Sequence, residues 1–191
     1  MRPVYEDDNI KVIYKEAGED SEKLLPGLHV ASRLDKPVCG LLLFSKSKDT
    51  ASYMAGPDVI DKTYTALVRG EVEEEGVYED FLLHDRQKNK VFVVKSKRKG
   101  VKEARLTYKR EEVLDIGDER FSLVKVKLQT GRTHQIRVQF ASRKHPLMGD
   151  GKYGSRVKGY IRLICNKMEV TMPDGESKSF EVELPEDFTS C

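Results

Sequence analysis

The sequence has few cysteines, no long apolar run and almost no net charge. Without an apolar stretch of about 20 residues we expect no membrane span, and without an apolar amino-terminal segment we expect no signal peptide. The three cysteines, Cys39, Cys165 and Cys191, are an odd number and lack the spacing of metal ligands. They predict neither a disulfide framework nor a zinc site, so a reduced, cytoplasmic protein is expected.

The charges nearly cancel but are unevenly distributed. There are 34 basic and 32 acidic residues, and the net charge of +2 does not by itself indicate a nucleic-acid partner. Lys95 to Lys102, KSKRKGVK, holds five basic residues and no acid, whereas Val72 to Asp80 is acidic. The basic run is either a solvated loop or a contact for RNA phosphates. We expect it at a hairpin end between strands at Val91 to Val94 and Ala104 to Tyr108.

Short segments rich in β-branched and aromatic residues recur along the chain and predict strands. They are Ile10 to Tyr14, Gly40 to Phe44, Thr63 to Val68, Val91 to Val94, Ala104 to Tyr108, Phe121 to Leu128, Ile161 to Cys165, Met168 to Met172 and Phe180 to Leu184. Helical patterns are fewer: Ser47 is placed to cap a helix ending near Met54, and Thr133 a helix ending near Arg143. Many strands without regular alternation with helices predict an α+β fold with a mixed, largely antiparallel sheet and flanking helices. We expect a single domain over residues 1–191.

Gly149 to Gly154 fits the pattern G-x-G-x-x-G of dinucleotide-binding loops, but its context is wrong. Lys144-His145-Pro146 precedes it instead of a strand, and too few residues follow for a dinucleotide-binding fold. We interpret it as a tight turn whose glycines allow close backbone approach. His134, His145 and Asp150 match no zinc-ligand spacing, so hydrogen-bonding histidines are expected and no metal site.

Two distant segments hold the most suggestive polar residues. Asp35 is a lone carboxylate at the end of the segment ASRLD. Four polar residues fall within six positions of a second segment: Arg132, His134, Gln135 and Arg137. A carboxylate in a partly dry cleft stays ionised only with a fixed cation beside it, and Arg132 and Arg137 are the candidates for that cation.

Three motifs in the same order resemble those of the RluA-type RNA pseudouridine synthases. They are ASRLDKPVCG, DKTYTALVRG and GRTHQIRVQFASRKHPLMGDGKYG, and weaker similarity runs from about Asn9 to Pro185. The related RsuA-type branch has Gly-Arg-Asn-Arg-Gln-Val-Arg where this chain has Gly131 to Arg137, so the RluA-type branch is favoured. The resemblance implies the pseudouridine synthase fold, isomerisation of uridine in ribosomal or transfer RNA, and no cofactor. We expect a monomer.

The resemblance also implies roles for individual residues. Asp35 corresponds to the catalytic nucleophile, Tyr64 to the tyrosine that stacks on the target base, and Arg137 to the arginine that pairs with the nucleophile. Substrate-binding positions in the same motifs correspond to Arg33, Arg132, His134, Gln135 and Ile136, the last being an apolar residue that lines the pocket.

The chain departs from the family pattern at three places near the expected nucleophile. Ser32 stands where the family often has His, Val38-Cys39 replaces Thr-Ser, and Lys15-Glu16-Ala17-Gly18 replaces Lys-Pro-x-Gly. An amino-terminal S4-type domain, common in larger relatives, has no room before the resemblance begins, so specificity is expected to come from the catalytic domain.

Two other functions stay open at this point. A protein of the same fold could bind RNA without activity, as a chaperone or assembly factor, although the intact Asp35, Tyr64 and Arg137 argue against it. A small-molecule hydrolase using Asp35 and His134 is disfavoured because no nucleophile–base arrangement and no G-x-S-x-G elbow is present.

Overall fold

The computed structural model describes residues 1–190, and these residues form two compact units. The first unit comprises Met1–Thr63 and Ile164–Leu184, and the second comprises Tyr64–Leu163 with residues 185–190. In residues 1–190 no helix has both the length and the apolar character needed to cross a membrane. The expectation of a single catalytic domain stays a prediction.

Strands outnumber helices in both units. The first unit contains β1 (Arg2–Glu6), β2 (Ile10–Lys15), β3 (His29–Val30), β4 (Cys39–Ser45), α1 (Lys48–Met54), β11 (Ser177–Glu181), most of β10 (Leu163–Thr171) and the start of β5 (Ile60–Arg69). The second contains the rest of β5, then β6 (Glu75–Asp85), β7 (Lys90–Val94), β8 (Val101–Ile116), β9 (Glu119–Leu128), α2 (Gln135–Ser142) and a 3-10 turn (Gly151–Tyr153).

In the first unit the strand order is β1-β2-β4-β10, with β3 beside β4 and β11 beside β10. All of β4 is buried, and it pairs antiparallel with β2 and parallel with β10. At Gly40 (φ 118°) a Cβ would lie 2.4 Å from the carbonyl oxygen of Cys165, so the parallel pairing requires glycine there. Ser47 caps α1 as expected, because its hydroxyl accepts a hydrogen bond from the backbone N–H of Thr50 at 3.1 Å.

The first unit also contains two of the three cysteines. Cys39 and Cys165 are buried thiols that are not joined in a disulfide, as expected of reduced core residues. Burial raises the pKa of the Cys165 thiol to about 12 and raises that of Cys39 as well. Both thiols are therefore held in their unreactive protonated form. Cys191 lies outside the described residues.

In the second unit the order is β5-β9-β8-β6-β7, and the pairs among β9, β8, β6 and β7 are antiparallel. Helix α2 packs on one face of these strands, where Leu82, Val91 and Ala104 meet Val138 of the helix. Strands β4 and β10 pair in parallel, whereas β1–β2, β2–β4, β10–β11 and the pairs of the second unit named above are antiparallel, so the expected mixed, largely antiparallel α+β fold is confirmed.

Two local predictions were wrong. Strands β7 and β8 do not form a hairpin, because β6 lies between them and pairs with both. That strand was not predicted, since its solvent-facing side carries charged residues that resemble a loop in sequence. Thr133 does not cap α2 either: the N-cap is His134, in the left-handed conformation (φ 53°), and it makes no capping hydrogen bond with its side chain.

The strands at the carboxyl-terminal end also differ from the prediction. The two short strands expected at Ile161 to Cys165 and Met168 to Met172 form one strand, β10, and the next strand begins earlier than expected, at Ser177. The turn at Pro173-Asp174-Gly175 between them is present, with Gly175 at φ 87°.

Candidate active site

Asp35 lies in the first unit, on the loop between β3 and β4, and is partly buried. Its neighbour Leu34 is buried, and the Ser21 hydroxyl both donates to the Leu34 carbonyl at 3.0 Å and accepts from its N–H at 3.2 Å. On the other side, the N–H of Val38 donates to the Asp35 carbonyl at 2.9 Å and closes a turn. The backbone is therefore fixed on both sides of the carboxylate.

A buried cation lies beneath this loop. Lys15 is 0% exposed, and its Nζ donates to the carbonyl oxygens of Glu16, Glu19 and Lys36 at 2.9, 3.0 and 3.0 Å. An ammonium group has three N–H donors, so these bonds use all of them. Burial lowers the pKa of Lys15, while the negative charges of Glu19 and Asp35 oppose that shift. The hydrogen bonds of Lys15 thus connect the residue after Asp35 to the turn that follows β2.

Sequence reasoning noted Lys15 only as part of a departing motif and did not assign it a role. A lysine that follows the apolar residues of the strand IKVIYK was the available signal. Its partners are backbone carbonyls, which leave no pattern of side chains in the sequence. The N–H of Gly18 also donates to the Lys36 carbonyl at 2.8 Å, so the turn holds the Asp35 loop without the proline of the family motif.

We expect Lys15→Met to lower the free energy of unfolding by at least about 2 kcal/mol, because three buried carbonyls lose their donor. Lys11→Met is the matched control: it lies on the same strand, pairs with Glu6 at 2.7 Å near the surface, and should cost less than about 1 kcal/mol. Urea unfolding of both variants measures the difference. Equal losses would show that the buried bonds of Lys15 do not stabilise the loop.

The second unit places Arg137 in a buried ion pair. On α2 its Nε donates to Oδ2 of Asp150 at 2.7 Å and its Nη2 donates to Oδ1 at 2.9 Å. The two side chains are 3% and 1% exposed. The guanidinium carbon also lies 5.1 Å from the ring centroid of Tyr153. This two-point contact fixes the plane of the guanidinium group.

Asp150 and Tyr153 belong to the glycine-containing turn, whose predicted role is confirmed. Gly149 has φ 80°, and a Cβ there would lie 2.0 Å from the carbonyl oxygen of Tyr160. The glycine therefore allows a close backbone approach, and the turn delivers Asp150 to Arg137 rather than opening a dinucleotide site. Sequence reasoning took Asp150 only as a rejected metal ligand and missed this pairing.

Both histidines near the turn are hydrogen-bonded, as expected. Nδ1 of His134 lies 2.9 Å from the Tyr153 hydroxyl, which also accepts from the N–H of Val91 at 2.9 Å. Nδ1 of His145 lies 2.8 Å from the carbonyl oxygen of Arg69. Within residues 1–190 no group of three or more side chains has the arrangement of a metal site.

Gln135 explains how α2 begins without a cap from Thr133. Its Oε1 accepts from the Thr130 hydroxyl at 2.9 Å and from the N–H of Arg132 at 3.0 Å, and its Nε2 donates to the Arg105 carbonyl at 3.1 Å. The first residue of the helix therefore fixes the preceding turn with its own amide. Arg132 adds a bond from Nε to the Glu103 carbonyl at 3.0 Å.

The remaining expected site residues divide between the units. Tyr64, near the middle of β5, and Ile136, on α2, are buried in the second unit. Arg33 is exposed in the first unit and pairs with Glu22 at 2.7 Å. Within the second unit, the α2 start and the glycine turn bring His134, Arg137, Asp150 and Tyr153 together. The expected pairing of Asp35 with Arg137 stays a prediction.

Comparison with known proteins gives one consistent family. Residues 8–142 match the family described as RNA pseudouridylate synthase. The chain is 32% identical to "Ribosomal large subunit pseudouridine synthase D" of Borreliella burgdorferi, over 97% of this chain and 55% of the relative. It is 35% identical to "tRNA pseudouridine synthase C" of Vibrio parahaemolyticus, over 67% of this chain and 56% of the relative. The chain thus spans little more than half the length of these relatives.

The fold has close counterparts among solved structures. "Human RNA Pseudouridylate Synthase Domain Containing 1" superposes with a TM-score of 0.79 over 97% of this chain and 83% of that one, at 21% identity. "Human RNA Pseudouridylate Synthase Domain Containing 4" gives a TM-score of 0.77 at 19% identity. At such identities the likeness concerns the fold.

Proposed function

This chain belongs to the RNA pseudouridylate synthase family, of the RluA type, and on that premise we propose that it converts specific uridines of structured ribosomal or transfer RNA to pseudouridine. The observation that carries the proposal is the presence of Asp35, Tyr64 and Arg137 in three motifs of the family order, with Asp35 on a loop whose backbone is fixed by Ser21, Lys15 and the turn to Val38. We propose further that the enzyme is a cytoplasmic monomer.

The reaction is an isomerisation, so every atom of the base is retained. The N1–C1′ glycosidic bond breaks, the uracil turns, and a C5–C1′ bond forms; C5 gives up its proton and N1 ends with one. The base must be held while it is detached from the ribose. No electron is gained or lost, and the three assigned side chains need no cofactor for the steps they perform.

We assign Asp35 as the nucleophile, Tyr64 as the surface on which the base stacks, and Arg137 as the fixed cation beside the nucleophile. What supports the last role is the orientation of the guanidinium group. Its two bonds to Asp150 hold the plane of the guanidinium group in one orientation.

The proposed reaction also requires the RNA to rearrange. A stacked or paired uridine cannot present its C1′ and C5 to one pocket, so the target base has to leave its stack. Phosphate contacts by basic residues would stabilise the rearranged RNA. We assign Arg33, Arg132, His134, Gln135 and Ile136 to substrate binding as a proposal. Gln135 and His134 would act mainly by holding the pocket wall, because their amide and imidazole groups are bonded inside the protein.

The proposal is tested by tritium release from RNA labelled at C5 of uridine. Forming the C5–C1′ bond must expel the C5 hydrogen, so the protein should release tritium from ribosomal or transfer RNA. A protein that only binds RNA would retain all the label, and that outcome would favour the inactive assembly factor. Asp35→Asn, which keeps the shape of the side chain, serves as the negative control.

For Tyr64 we expect Phe and Ala to have different effects. Tyr64→Phe keeps the stacking face and should retain RNA affinity while slowing turnover. Tyr64→Ala removes the face and should weaken binding by about 1–3 kcal/mol. Filter binding and tritium release on both variants measure this. Tyr108→Ala is the control, because Tyr108 packs on Tyr78 and Phe140 in the core and should affect stability alone. Equal loss of binding with Phe and Ala would assign the role of Tyr64 to its hydroxyl.

A further inference from the structure

The edge strand β7 exposes an aromatic ring. Phe92 is 38% exposed, and it is the sole aromatic residue among the exposed large hydrophobic residues of the described chain. The ammonium group of Lys90 lies 5.8 Å from the centroid of the Phe92 ring. An exposed aromatic ring next to a cation is a suitable surface for a nucleic-acid base with its phosphate.

The sequence around Phe92 is strongly basic. Residues 86–102 contain eight Lys and Arg residues and no Asp or Glu: Arg86, Lys88, Lys90, Lys95, Lys97, Arg98, Lys99 and Lys102. Lys97 pairs with Glu103 at 2.9 Å. The other seven form no ion pair with any carboxylate of residues 1–190. So many uncompensated cations repel one another, and a polyanion would relieve that repulsion.

The topology brings the basic loop and the ring to one face. Residues 95–100 leave β7, cross β6 and enter β8, because β6 lies between these strands. A Cβ on Gly100 would be 3.8 Å from Cδ1 of Leu83, so the loop passes over that side chain. Leu83 is the cross-strand partner of Phe92, and directly paired residues share a face. The loop therefore lies on the face that carries Phe92.

This face is opposite the one on which α2, the helix of Arg137, packs, while the ammonium group of Lys90 at the sheet edge also lies 5.4 Å from the centroid of the Tyr153 ring. Val91 and Leu82, which point to the other side of β7 and β6, pack with Val138 of α2. Arg137 lies on that helix. An RNA segment on the Phe92 face would thus contact the protein separately from the uridine that is modified.

We propose that the Phe92 patch, formed by Phe92, Lys90 and the loop of residues 95–100, binds an unpaired stretch of the substrate RNA. A base stacks on the Phe92 ring, and the adjoining phosphates contact Lys90 and the basic side chains of the loop. Stacking on an aromatic face and phosphate contacts both tolerate many sequences. The patch therefore adds affinity for single-stranded regions beside a structured target, and this role rests on the proposed function of the chain.

The test compares two changes with matched controls. Phe92→Ala removes the ring, and its control Val77→Ala shortens another exposed apolar residue on the same face of β6. Lys95, Arg98 and Lys99, all without carboxylate partners, are replaced together by Gln. Their control replaces the exposed Lys48, Lys109 and Lys158 by Gln. Affinity is measured for a single-stranded oligoribonucleotide of about 12 nucleotides and for a duplex of the same length, at several salt concentrations.

We expect Phe92→Ala to weaken single-strand binding about 5- to 150-fold with an unchanged salt slope, and duplex binding to change less. In the loop triple variant, the slope of log affinity against log salt concentration should decrease in magnitude by about 2, while the slope of its control stays near that of the wild type. Wild-type affinity in Phe92→Ala would overturn the stacking role, and an unchanged slope would overturn the phosphate contacts. If both variants bind RNA like wild type, the patch serves another partner, such as an acidic protein, and the proposal is wrong.

Failure of this proposal is distinguishable from failure of the proposed enzymatic function. Tritium release by the wild-type protein tests the function, whereas the binding measurements need no turnover. Tritium release together with unaltered binding in the patch variants would reject the patch alone. Absence of tritium release would reject the proposed enzymatic function. The binding measurements would then still test whether the Phe92 patch binds RNA.

Discussion

Asp35→Asn is expected to lower the rate of pseudouridine formation by at least roughly 10⁴-fold, the size of effect seen when a catalytic nucleophile or its partner is removed. An amide has nearly the same shape as a carboxylate but is a poor nucleophile. The loop backbone should stay in place, since Leu34 is held by Ser21 and the turn to Val38 uses the main chain. RNA affinity should therefore survive while chemistry is lost.

Single-turnover tritium release at saturating RNA measures this effect. Asp49→Asn, on the exposed first turn of α1, is a control for the same chemical change away from the site. It should leave turnover close to wild type. If Asp35→Asn retained more than about a hundredth of the wild-type rate, with deamidation excluded by mass spectrometry, Asp35 could not be the nucleophile.

Asp150→Ala is expected to lower the free energy of unfolding by about 3–5 kcal/mol, because it leaves the buried Arg137 guanidinium without its two-point partner. A domain of ordinary stability has about 5–15 kcal/mol in total, so this loss is large. Activity should fall as well, since the plane of the guanidinium would no longer be fixed. Asp80→Ala is a control, because Asp80 pairs with Arg143 at 2.8 Å in a more exposed setting.

A double substitution separates stability from function at this pair. Arg137→Met with Asp150→Leu removes both charges and should recover most of the stability lost in Asp150→Ala, because replacing a buried ion pair by apolar groups is often nearly neutral. Turnover should remain very low, since the double variant lacks the guanidinium group proposed to pair with the nucleophile. Thermal or urea unfolding with tritium release measures both quantities. If the double variant were as unstable as Asp150→Ala, the unpaired charge of Arg137 would not be the cause of the lost stability.

The sequence predicted the elements whose information is local. Ser47 caps α1 because its hydroxyl reaches an N–H three residues ahead, and the buried strand β4 is an apolar run between turn residues. By contrast, β6 escaped detection because charged side chains on its exposed face hid the alternation. The predicted hairpin then followed from assuming that neighbouring strands in sequence pair with each other.

Long-range contacts explain what could not be predicted at the site. Resemblance to a family led us to expect Asp35, Tyr64 and Arg137 at the site. It did not reveal Lys15, whose partners are backbone carbonyls from two separate turns. Nor did it reveal Asp150, which meets Arg137 only because α2 and the glycine turn fold back on each other. Both residues form their hydrogen bonds in the protein interior, and a single sequence does not show which polar residues are buried.

The most direct test of the central claim is to map pseudouridines in total RNA from cells with and without this gene. We expect at least one uridine in ribosomal or transfer RNA to lose its modification in the deletion strain. Wild-type protein should restore it, and Asp35→Asn protein should not. A pseudouridine map that is identical in both strains, or restoration by Asp35→Asn equal to that by wild type, would contradict the assignment of this chain as a pseudouridine synthase with an aspartate nucleophile.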